Sequence, residues 1–157
     1  MRDDAASIAA DLVRLYAAKL QLLDRLLLSE SDKIHYCRSG NLEKVFGMVG
    51  ADEGIIGDID AADFDIARAE ASLAALAGVR TRLLYDALRD DRDADGLLAV
   101  RNTVLETLDR LLAERARLAA MLEAASGEIR DSIDDLSRLT RLKEADAGGI
   151  DRAGRRS

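Results

Sequence analysis

Eleven positions between Val104 and Leu139 (Val104, Leu108, Leu111, Arg115, Leu118, Leu122, Ala125, Ile129, Ser132, Leu136 and Leu139) alternate steps of four and three residues, and all but Arg115 and Ser132 are apolar. That spacing gathers side chains on one side of an α-helix and is the seam of a left-handed helix pairing. A strand is excluded, because its side chains alternate with a period of two. Nothing in the chain interrupts the pattern in the way proline does: usage of about 5% would place roughly eight prolines in a chain of this length, and there are none. The segment reads as one helix over about 97–145.

The same spacing recurs upstream. Ala9, Val13, Tyr16, Leu20, Leu23, Leu27, Glu30, Ile34 and Cys37 describe a first helix over about 4–39, with Glu30 as its charged exception. Ser39-Gly40 is the stop, since glycine takes the left-handed conformation after a last helical turn, and Asn41 is a good N-cap for the next helix. A second series runs from Leu42 through Val45, Val49, Asp52, Ile56, Ile59, Ala62, Ile66, Ala69, Leu73, Leu76 and Arg80 to Leu83, with Asp52 and Arg80 as exceptions. It reads as one helix over about 41–90, bent near Gly78. The stretch Asp90 to Gly96 has turn composition and no apolar period. The expected architecture is three long antiparallel helices forming an elongated coiled-coil-like bundle over 1–145, with 146–157 a flexible tail.

Composition narrows function by exclusion. Two Phe, three Tyr and no Trp leave a core of Leu, Ile, Val and Ala. With 23 basic against 30 acidic side chains and a net charge of -7, the chain lacks the clustered Lys and Arg that bind a phosphate backbone. No run approaches the ~18 apolar residues that span a bilayer. Asp3, Asp4 and Asp11 are foreign to a secretory signal. The single Cys37 cannot close an internal disulfide, so a reducing, cytoplasmic compartment is expected.

Chemistry-bearing patterns are few. Asp91, Asp93, Asp95 and Gly96 match the early positions of a calcium-binding EF-hand loop, but the bidentate Glu of position twelve is replaced by Asn102. An acidic turn capping the following helix is the expectation, with no metal and no cofactor. Asp32 and His35 share a helix face, yet His35 is the only histidine, which leaves no material for a two-histidine metal site. Neither a phosphate-binding glycine loop nor a CxxC pair occurs. No enzymatic activity is expected.

Gly47, Gly50, Gly54 and Gly57 recur at helical spacing inside the second helix, at a cost of about 1 kcal/mol each relative to alanine. Two readings compete. Either the small face admits a third helix or a partner chain, or packing elsewhere absorbs a softened helix. Asp52, Glu53, Asp58, Asp60, Asp63 and Asp65 make the same region acidic, with no Lys or Arg between Ala51 and Ala67. A solvated face is the default for such a run, and a docking surface for a basic partner the alternative.

The passages Leu26-Leu27-Leu28-Ser29-Glu30 and Arg38-Ser39-Gly40-Asn41-Leu42-Glu43 resemble the link between the first two helices in the FlgN-like family of flagellar type III export chaperones. Helix order and length extend the resemblance over nearly the whole chain, although the Gly- and Asp-rich Met48 to Asp60 departs from it. The resemblance implies a cytoplasmic chaperone that holds hook-associated flagellar proteins of the hook-filament junction and delivers them to the export apparatus. It implies that the client's helical C-terminal segment is bound by Ile129, Ile133, Leu136, Leu139 and Leu142 on the third helix. The competing reading makes these residues ordinary core against Leu12 to Leu26. A structural coiled-coil module, including a homodimer, is the alternative function.

Overall fold

The computed structural model describes the backbone of residues 3–156 and the side chains of residues 3–145. Among these residues there are four α-helices and two short 3-10 turns, and no strand: α1 (Asp3–Arg38), α2 (Leu42–Ala77), α3 (Leu84–Leu88) and α4 (Asp95–Arg156). The chain divides after Leu118 into two units, each treated by itself.

In α1 the buried positions Ala9, Leu12, Tyr16, Leu23, Leu26, Glu30, Lys33 and Ile34 follow the three-four rule, but the stripe is centred one position from the expected one. Leu12 and Leu26 are fully enclosed, whereas Val13 and Leu27 are half-buried. The reason is that α1 packs on two neighbours at once, which widens the apolar face beyond a single seam. At its end Gly40 adopts φ 74°, and the Asn41 amide donates to the Tyr36 carbonyl at 2.9 Å. Asn41 caps α2 by accepting from the Lys44 amide.

Contacts between α1 and α2 fix their direction. Tyr16 meets Glu70, Lys19 meets Asp63, and Ser29 meets Asp52, so position falls in α2 as it rises in α1 and the two are antiparallel. The first part of α4 rises with α1. Ala6 to Val13 face Asp93 to Leu97 across a shallow cleft, and Glu30 pairs with Arg115.

The second helix is shorter than its apolar series suggests. Rather than bending at Gly78 and continuing to residue 90, α2 stops at Ala77. Gly78 takes φ 69° and donates to Ala75, while Val79 donates to Ala74, the paired bonds of a Schellman stop. Arg80, an exception in the helical series, is outside any α-helix and exposed. The chain then crosses the end of the core through α3, placing Leu84, Leu88, Ala94 and Leu97 under it. Each fully enclosed leucine stabilises the fold by about 1.5 to 3 kcal/mol.

The backbone of α4 runs on to Arg156, and Ser157, the last residue of the expected tail, lies outside the described residues. No proline stops the helix, and each residue added to an existing helix closes one more hydrogen bond. Both α1 and α2 have 36 residues and α4 has 62, so the excess length belongs to α4 alone. No helix among the described residues is long and apolar enough to cross a membrane.

Candidate functional site

In the unit that begins at Ala119, α4 carries large aliphatic side chains that its own chain leaves in solvent. Ile129, Ile133, Leu136, Leu139 and Leu142 are between 50% and 65% exposed. Charge is unevenly distributed along this segment: Asp131, Asp134 and Asp135 outweigh Arg130 before Leu136, and Arg138 and Arg141 follow it, with Lys143 just beyond Leu142. The result is an apolar strip with an acidic first half and a basic second half.

The remaining sequence candidates are placed elsewhere. The Asp91 carboxylate accepts from the Asp93 amide at 2.9 Å and caps a 3-10 turn, and Asp95 is the first residue of α4. Among the described residues no group of three or more His, Cys, Asp or Glu is arranged to hold a metal ion. His35 is exposed and meets the Tyr36 ring edge-on at 5.6 Å. Gly47, Gly50, Gly54 and Gly57 lie on the outer face of α2, and a Cβ built on any of them meets nothing within 4 Å. Within the unit ending at Leu118, no described residue packs against that face.

Sequence reasoning missed a buried charge cluster in the unit ending at Leu118. Glu30, Lys33 and Asp52 are 2% to 4% exposed. Lys33 donates to Glu30 Oε1 at 2.8 Å and pairs with Asp52 Oδ2, Ser29 donates to Asp52 Oδ1 at 2.7 Å, and Arg115 Nε reaches Glu30 Oε1 at 3.2 Å. Two carboxylates and two cations balance, and Glu30 Oε2 is left without a hydrogen-bond partner. Burying charge costs several kcal/mol per ion unless it is paired and hydrogen-bonded, and here the pairing ties α1, α2 and α4 at one level. The signal was present. Glu30, Asp52 and Arg115 each interrupt one of the three apolar series, with charges of opposite sign, while Lys33 lies one turn beyond Glu30 and outside the series.

A second polar contact lies toward the other end of the helices. The Tyr16 and Tyr85 hydroxyls are 3.1 Å apart, Glu70 is within 3.5 Å of Tyr16, and the Arg101 guanidinium sits 3.9 Å over the Tyr85 ring. Burial, followed by the hydrogen bond with Glu70, pushes the Tyr85 phenol far above its ordinary value, and burial raises Tyr16 as well. These phenols hold protons rather than release them.

No family model matches the chain, and neither a curated protein nor a solved structure matches it.

Proposed function

We propose that the chain is a non-enzymatic cytoplasmic export chaperone that holds an amphipathic helix of its client along the α4 strip. The three long helices form the frame, and the clients are hook-associated flagellar proteins delivered to the export apparatus. One observation carries this reading: five large aliphatic side chains, Ile129, Ile133, Leu136, Leu139 and Leu142, at helical spacing and open to solvent. An amphipathic helix laid along them recovers about 1 to 2 kcal/mol per side chain, in the manner of helix-in-groove recognition. The acidic-then-basic polarity of the strip sets the direction of docking, since a reversed client helix brings like charges together. The resemblance at Leu26 to Glu30 and Arg38 to Glu43 supplies the client class.

Calorimetric titration of the full chain with purified hook-filament junction subunits tests it. Binding is expected with intact subunits and is expected to vanish when their C-terminal helical segment is deleted. Equal binding to the deleted subunits, or none to intact ones, overturns the reading. A stable oligomer formed through the strip with no affinity for any client replaces it with the structural coiled-coil module.

A further inference from the structure

On an acidic chain of net charge -7, one groove is basic. It lies between the second half of α1 and α4, has a volume of about 430 Å³, and is floored by Leu27, Ile34 and Ala113. Arg38, Arg110 and Arg117 rim it, with Glu114 as the only acid. Arg117 pairs with Glu114 at 3.8 Å, whereas Arg38 and Arg110 make no ion pair among the described residues. At physiological salt, charges separated by more than roughly 8 Å are screened, so this local patch rather than the net charge determines what docks there.

The same unit carries a shape of opposite character. Phe64 is 64% exposed on the outer face of α2, next to Asp63 and Asp65 and one turn from Asp60. Asp63 pairs with Lys19, while Asp60 and Asp65 make no ion pair among the described residues. The pattern is an aromatic knob with the Arg68 guanidinium 5.9 Å from its ring and the carboxylates of Asp60 and Asp65 beside it.

We propose that the groove receives the Asp60–Asp65 turn of a second copy of this chain: Phe64 covers the Leu27–Ile34–Ala113 floor, and Asp60 and Asp65 pair with Arg38 and Arg110. The occupant is identified by charge complementarity and by the apolar area left open on both sides. A cavity of this size takes one phenyl ring and its neighbours, and the arginine fork suits carboxylates. Knob and groove are different patches, so the contact is heterologous and each copy offers one of each. This association is separate from client binding on the strip.

The test uses two full-length variants, Phe64→Ala/Asp60→Lys without a knob and Arg38→Glu/Arg110→Glu without a groove, both altered only at exposed positions. Sedimentation velocity is run from micromolar to near-millimolar concentration at low and high salt. The wild-type chain is expected to self-associate, at least about tenfold more weakly at high salt. Each variant alone is expected to be monomeric, and an equimolar mixture of the two to associate again, because one intact knob then meets one intact groove. A wild-type chain that stays monomeric throughout overturns the proposal, as does association unchanged in both variants or a mixture that stays monomeric. Association abolished only by Leu136→Asp/Leu139→Asp also overturns it, by assigning the contact to α4.

Discussion

Lys33 is the residue on which the buried cluster turns, because it lies against both enclosed carboxylates, Glu30 and Asp52. Lys33→Met is expected to destabilise the chain by about 3 to 5 kcal/mol in urea unfolding, the cost of leaving buried charge without its partner. Arg115→Met is expected to cost far less, since that side chain is 38% exposed and water replaces part of what it gives Glu30. Equal losses in the two variants contradict this account of the cluster. The tyrosine pair makes a different prediction at the same scale. Both phenols have folded values raised above 10.0, chiefly by burial, so the folded state keeps protons that the unfolded state releases. The resulting stabilisation is complete below about pH 10 and is lost as pH rises from there. Urea unfolding measured from pH 8 to 11 is expected to show that decline, and Tyr16→Phe/Tyr85→Phe to flatten it.

Helix boundaries divide the glycines into two physical kinds. Gly78 ends α2 with a positive φ, so Gly78→Ala is expected to destabilise by about 1 kcal/mol. Gly50 and Gly57 lie inside the same helix in open space, so Gly50→Ala/Gly57→Ala is expected to stabilise by about 1 to 2 kcal/mol. Thermal unfolding that moves in the same direction for both variants contradicts the assignment. These cases also mark how far the sequence could be read. The apolar spacing located the helices, and Ser39-Gly40-Asn41 located the first turn, because a stop, a glycine and a cap coincide there. Gly78 carried half of that signal. The apolar series ran on through Leu83, and only the Schellman bonds of Gly78 and Val79 separate a helix end from a kink.

For the whole molecule, spacing specifies that an aliphatic seam exists but not which part of it a neighbour covers. Val104, Leu111 and Leu118 are buried, whereas Ile129, Leu136 and Leu139 continue the same series and are exposed. Charges in the seams were legible as exceptions, but their meeting was not, because contact between Glu30, Asp52 and Arg115 requires the register of three helices. The central claim is that the distal aliphatic strip serves a partner and not the fold. The most direct measurement is the thermal unfolding transition of Leu136→Asp/Leu139→Asp beside its titration with hook-filament junction subunits. The account predicts an unchanged, cooperative transition with binding lost. A broadened transition or one lowered by many degrees, or binding equal to that of the wild-type chain, would contradict it.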